Sequence, residues 1–245
     1  MIQTFYVDHM GTDLSVANAA RVSFGKRSEM DTSDVWGPPK LKDKDAKLIR
    51  YLAKHKHISP FGHCFASFHI KAPVFVARQL VKHKFLRWNE ISRRYVDSEP
   101  EFYQPTEWRG RSEDKKQGSS EKNMANLEGF AKYGLHEDDV YCKRYRKGFR
   151  TIGTQHAVNL VNQKAYHLYT IMIEAGVAPE QARMILPQNT VTEWYWSGSL
   201  DAFADMCNLR CKPDTQYETQ VVAGHIDTEM AKLFPISWMA LRENE

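Results

Sequence analysis

The run Lys82-His83-Lys84-Phe85-Leu86-Arg87-Trp88-Asn89-Glu90-Ile91-Ser92-Arg93-Arg94-Tyr95 packs five cations, a histidine, a carboxylate, an amide, a hydroxyl and a phenol into one short stretch. A solvated helix face would space such charges among surface polar residues and omit Trp88 and Tyr95. An apolar core would omit the cations. The mixture suits a flat, anionic, aromatic ligand: cations hold phosphate oxygens, Asn89 and Glu90 read ring edges, and aromatic side chains stack. It also suits a basic nucleic-acid surface with Trp88 and Tyr95 as stacking platforms. In a plainer reading, Lys82, His83 and Lys84 are a solvated helix end whose charge complements the helix dipole, and Ser92 is a turn hydroxyl.

Other residues carry chemistry singly. Arg183 lies among apolar neighbours in Ala182-Arg183-Met184-Ile185-Leu186-Pro187. An arginine there must be paired, with Glu180 or Glu193 as structural partners, or must bind an anion. His57 reads as a loop residue capping the helix before it. His55, His57, His63 and His69 run through a loop and then a strand with no carboxylate among them, which argues against a metal site. Cys207 and Cys211 are four apart, as on one helical face, but no second pair accompanies them, so zinc is not expected. The four cysteines read as reduced thiols of a cytoplasmic protein.

The elements that must position these groups follow from periodicity. Phe5 to Val7 predicts a first strand. Leu41 to Ala53 predicts a helix with Leu41, Leu48 and Leu52 on one face. Pro60 and Gly62 break the segment from His55 to His63. Cys64, Ala66, Phe68 and Ile70 alternate as in a strand. Pro73 suits the first turn of a helix that buries Val74, Ala77 and Val81 and frays near Lys84 to Arg87. Asn89 to Tyr95 is then loop or extended. A long helix is expected from Gln155 to Ala175, burying Val158, Val161, Ala165, Leu168 and Met172 and closed by Gly176. Pro179 opens a short helix that Pro187 ends. Thr190 to Trp196 alternates as a strand. Ser199 caps a helix to about Arg210, and Thr215 with Glu218 forms a capping box for the last long helix.

The 245 residues suit one domain, with an exposed polar insertion near 105–123. A net charge of +4 gives little long-range attraction to nucleic acid. No apolar run reaches membrane-spanning length, and residues 1–8 are too short and polar for a signal peptide. No Gly-rich dinucleotide turn is present, which excludes a Rossmann unit. Helices and strands interleave irregularly, as in an α+β domain.

Taken with its neighbours, the basic run resembles the signature of the flavin-dependent thymidylate synthases, R-H-R-x-x-S-x-N-E-x-S-x-R-Y. Asn89, Glu90, Ser92, Arg94 and Tyr95 keep the second half. Lys82 and Lys84 replace the flanking arginines, and Arg87 replaces the first serine. Five more segments resemble the family in order. They are Ala20-Arg21-Val22-Ser23-Phe24, His57-Ile58-Ser59-Pro60-Phe61-Gly62-His63, Lys71 to Gln79, Ala182 to Pro187, and Asn208-Leu209-Arg210 followed by Gln216 and Glu218. Gly62 stands where the family has Glu, and Asp201 and Asp205 where relatives offer Arg and Asn.

The resemblance implies a central, mostly antiparallel sheet flanked by long helices, assembled as a homotetramer with active sites shared between subunits. It implies reductive methylation of deoxyuridine monophosphate (dUMP) to thymidine monophosphate. Methylenetetrahydrofolate would supply the carbon, and NADPH would reduce a bound FAD that supplies the hydride. In the catalytic set, Arg210 would stabilise the uracil as its N3 proton is lost, Ser92 would polarise the ring, and His57 would lie at the folate and flavin face. Gln79, Lys82, Glu90, Ile91, Ser92, Arg93, Arg94 and Arg183 would join Arg210 in binding substrate, with Arg94 at the phosphate. Ser23, Ser59, Lys82, His83, Lys84, Asn89, Glu90 and Asp205 would hold the flavin. No metal, nucleic acid or membrane partner is implied. The departures leave one further alternative beside the nucleic-acid module: a non-catalytic assembly protein that keeps the fold.

Overall fold

A computed structural model describes residues 2–96, 98–112, 119–123 and 154–242. The chain divides into two units. One comprises Ile2–Lys71, Val76–Glu90 and Glu193–Glu245, and the other Ala72–Phe75 and Ile91–Thr192.

The first unit is built on four strands, β1 (Gln3–Met10), β2 (Phe65–Pro73), β3 (Arg87–Glu90) and β6 (Val191–Ser199), in the order β1-β2-β6-β3. Strand β2 buries Ala66, Phe68 and Ile70 and turns the residues between them outward, as its alternation predicts. β1 runs antiparallel to β2 with a bulge between Tyr6 and Asp8. β3 runs antiparallel to β6 and sets Trp88 opposite Trp196. Between β2 and β6, the Ser67 and Ser197 hydroxyls meet at 2.8 Å, His69 stacks on Tyr195, and Lys71 reaches Glu193. Partners whose numbers rise on one strand as they fall on the other define an antiparallel pair. The sheet is therefore antiparallel, as expected.

Helices α1 (Asp13–Arg21), α2 (Asp43–Lys54), α6 (Leu200–Arg210), α7 (Tyr217–Leu233) and α8 (Pro235–Arg242) complete this unit. An aromatic column joins sheet to helix. Trp88 stacks on Trp194 with ring centres 4.4 Å apart, Trp196 meets Phe203 of α6 edge-on at 5.7 Å, and Phe203 meets Phe68 at 5.3 Å. Helix α2 begins at Asp43, two residues after the expected Leu41, and buries Ala46, Ile49, Leu52 and Ala53. Its Asp45 is fully buried because Arg21 and Ser28 neutralise and bond it. Asp13, also buried, accepts the Ile236 and Ser237 N–H groups at 3.0 and 2.8 Å and so caps α8.

Three expectations change here. Helix α3 (Val74–Leu80) stops before Lys84, and it buries Val76, Ala77 and Leu80. Val81 is exposed because the helix has ended and the chain turns, with the His83 N–H bonded to Leu80 O. Residues 87–90 are then already strand. The capping box of α7 is not formed: Gln216 holds the N-cap position, and the Thr215 hydroxyl donates to Leu209 O. Ser199 does stand at the N-cap of α6, without a side-chain cap bond.

The second unit holds α4 (Thr154–Glu174), α5 (Pro179–Ala182) and a short hairpin of β4 (Arg109–Arg111) with β5 (Ser119–Asn123). Part of the expected insertion is thus paired strand, while residues 113–118 lie outside the described residues. Gly176 closes α4 with φ of 83°. The face of α4 differs from expectation: Ala157, Asn162 and Tyr169 are buried, whereas Val161 and Leu168 are 40% and 47% exposed.

Candidate active site

The last turn of α3 and the turn after it present Gln79 and His83. The last turn of α6 brings Arg210 to them. Its Nε donates to His83 Nε2 at 3.1 Å, and its Nη2 donates to the Gln79 carbonyl at 3.3 Å. The Gln79 amide is itself held at the start of α7, donating to Gln216 Oε1 and accepting from the Thr219 hydroxyl. Arg210 is half-buried, and desolvation lowers its pKa. No carboxylate forms an ion pair with it among the described residues. A partly dehydrated cation without a counter-ion is poised for an anion. Burial, then the Arg210 charge, pushes the His83 pKa down to about 4, so the imidazole is neutral near pH 7.

Next to His83 in the chain, Lys82 and Lys84 lie exposed on the turn, and Arg87, Asn89 and Glu90 are exposed on β3. The Glu90 carboxylate accepts from the Trp88 indole at 3.1 Å. Ser23 and Ser59 are exposed in short 3-10 turns, Val22–Phe24 and Ser59–His63. His57 closes α2 with its backbone. Lys56 takes a left-handed φ of 55°, and the His57 N–H reaches Leu52 O at 2.9 Å. Its exposed ring meets Tyr51 edge-on. A Cβ on Gly62 would lie 3.9 Å from Asp201 Oδ1, an atom that is buried and has no hydrogen-bond partner among the described residues. Asp205 is exposed on the same helix. Its carboxyl pKa is raised by desolvation first and by Asp201 second.

In the second unit, Ser92 Oγ accepts from the Arg94 backbone N–H and Nε at 3.3 and 3.2 Å. The Arg94 guanidinium lies 5.0 Å from the centre of the Tyr95 ring. A hydroxyl that accepts from a cation, with no base beside it among the described residues, suits positioning rather than attack. Arg93 donates to Ser98 O at 2.8 Å, and Ile91 is exposed. Arg183 corrects an expectation. It is exposed, in the turn Arg183–Ile185, and its Nε donates to the Glu180 carbonyl. The apolar neighbours that suggested burial include Met184, which is 76% exposed.

Sequence reasoning missed the roles of Gln216 and Thr219, although Gln216 falls in the closing segment of the family pattern. It also missed the contact of Trp196 with the His83 ring, for which two tryptophans at alternate strand positions, Trp194 and Trp196, were the available signal. Among the described residues no three His, Cys, Asp or Glu side chains are grouped to hold a metal ion.

A family model described as thymidylate synthase complementing protein matches residues 6–236. A flavin-dependent thymidylate synthase of Thermus thermophilus is 35% identical over 238 residues, 97% of this chain and 74% of that protein. Another, of Kosmotoga olearia, is 35% identical over 234 residues, 96% of this chain and 87% of that one. The crystal structure of a UMP/dUMP methylase, PolB, from Streptomyces cacaoi bound with 5-Br dUMP matches with a TM-score of 0.74 and 26% identity, covering 98% of this chain and 94% of that one. The fold and the matched length define a methyltransferase. The chain belongs to the thymidylate synthase complementing protein family.

Proposed function

We propose that the protein methylates C5 of dUMP to give thymidine monophosphate, taking the carbon from methylenetetrahydrofolate and reducing equivalents from NADPH. The observation that carries this reading is the half-buried Arg210, which among the described residues has two neutral acceptors and no carboxylate. Loss of the uracil N3 proton places negative charge on the ring. A preorganised guanidinium stabilises that charge and raises electron density at C5. Ser92 polarises the pyrimidine, and Arg94 receives the phosphate.

The family implies FAD, and the donor set fits it at one end. Lys82, Lys84 and Arg87 are exposed cations on consecutive turn and strand, suited to a diphosphate. Ser59, Asn89 and Glu90 offer groups for ring edges. Asp201 and Asp205 suit ribose hydroxyls rather than phosphate oxygens. When bound, FAD supplies the hydride that completes the methyl group. The protein works in the cytoplasm as a homotetramer, and the whole chain serves one catalytic function. Large apolar side chains exposed on β1 (Phe5, Val7, Met10) and on α4 (Val161, Leu168, Ile171) support assembly.

Tritium release from C5-tritiated dUMP tests the proposal. Release is expected only with methylenetetrahydrofolate, NADPH and FAD together. No release above a boiled control, with flavin absorbance verified on the protein, overturns it. The likeness to a UMP/dUMP methylase favours a second substrate, UMP, assayed in the same way.

A further inference from the structure

We propose that His83 is a positioning residue for Arg210, and that their contact locks the His83 imidazole in the Nδ1–H tautomer. This rests on the proposed role of Arg210 at the nucleotide, but its geometry stands apart from that role. An arginine Nε–H only donates, so His83 Nε2, 3.1 Å away, must accept. The ring proton then resides on Nδ1. A protonated imidazole would set an N–H against an N–H and a cation against a cation. Burial reinforces the same neutral state.

The contact does more than fill space. Arg210 Nε bonds to His83 and Nη2 to the Gln79 carbonyl, and these two acceptors fix the plane of the guanidinium. Both acceptors come from one short stretch of chain. Gln79 is tied in turn to Gln216 and Thr219, so its carbonyl is not free to follow the arginine. Trp196 stands edge-on to the His83 ring, with centres 6.3 Å apart. Of the five N–H donors of a guanidinium, two are used among the described residues, which leaves three in a fixed orientation. Without His83 the Nε–H would be unsatisfied, and the plane could turn about the single remaining bond. The basic run would thus contribute its histidine to aiming the activating cation, in addition to any contact with flavin.

Two variants separate positioning from packing. His83→Gln keeps an acceptor at about the distance of Nε2, and His83→Leu keeps bulk without an acceptor. Calorimetry of dUMP binding should show a loss of about tenfold to a hundredfold for His83→Leu, the worth of a charge-assisted hydrogen bond. His83→Gln should stay within about threefold of the parent, too small a change for loss of such a bond. Nitrogen-15 NMR of histidine-labelled protein supplies a readout that needs no ligand. The His83 signals, assigned by their absence in His83→Gln, should show Nδ1 protonated and Nε2 bare, and Arg210→Leu should abolish that preference.

An Nε2–H tautomer in the parent protein overturns the proposal. So does a His83→Leu variant that binds dUMP as well as the parent. If His83→Leu does not fold, the spectra of the parent and of Arg210→Leu decide. If the parent binds no dUMP, the proposed function fails while the tautomer is still settled by the spectra.

Discussion

A histidine half-buried against a guanidinium makes stability depend on pH. The unfolded His83 titrates near 6.5, and the folded one near 4. Between those values the unfolded chain binds a proton that the folded chain refuses, so stability falls as pH drops from about 6.5 toward 4 and levels off below. The full shift corresponds to about 3 kcal/mol, and solvent screening of the half-exposed ring brings the loss below that. His83→Gln does not titrate, so the difference in urea midpoint between parent and variant should shrink or invert across that window. A constant difference from pH 7 to pH 4 would refute the assignment.

At the same scale, Arg210→Ala should lower turnover by a factor equivalent to about 2–4 kcal/mol while the fold survives, checked by the tritium assay and by circular dichroism. The thiols are graded too. A bond from Cys207 holds the Cys211 pKa down, burial raises that of Cys207, and burial pushes Cys64 up to about 11. Iodoacetamide at neutral pH should therefore label Cys211 before Cys207 or Cys64, as read by peptide mass. Equal labelling of all three would contradict the arrangement.

Elements differ in how openly the chain declares them. β2 and β6 were legible because alternate residues are buried, and burial on one face is a local pattern. The closure of α4 was legible from Gly176, which alone takes the left-handed turn cheaply there. The face of α4 was not. Val161 and Leu168 obey the helical period but remain exposed, so periodicity located an apolar stripe without saying what covers it. The phase of α3 was missed because seven residues carry too few turns to average out one misplaced valine. The site divides in the same way. Gln79, His83 and Arg210 were named from local motifs, and the fold brings them into contact. Thr219, which holds Gln79, could not be named because its importance lies in a partner 140 positions away. The cap of α8 is equally long-range. Asp13→Ala should remove two bonds to that helix and cost about 2 kcal/mol in urea unfolding, with the loss concentrated in amide exchange of residues 235–242.

For the whole molecule, the proposed assembly makes a simple demand. Light scattering on the eluting protein should give four times the 28.4 kDa of the chain, and Leu168→Glu should reduce that mass. A mass of one chain for the parent protein would remove the homotetramer.

The strand order has a consequence for how the enzyme is made. β3 carries the middle of the signature, and among the described residues its neighbour in the sheet is β6. On a ribosome adding roughly 5–20 residues per second, β6 emerges about 5–20 s after β3. Throughout that interval Arg87 to Glu90 lack their native partner strand, and Arg210 has not yet been synthesised. The site is therefore completed only once Arg210 has been added, and a nascent chain halted before residue 190 carries its signature outside the sheet that will hold it.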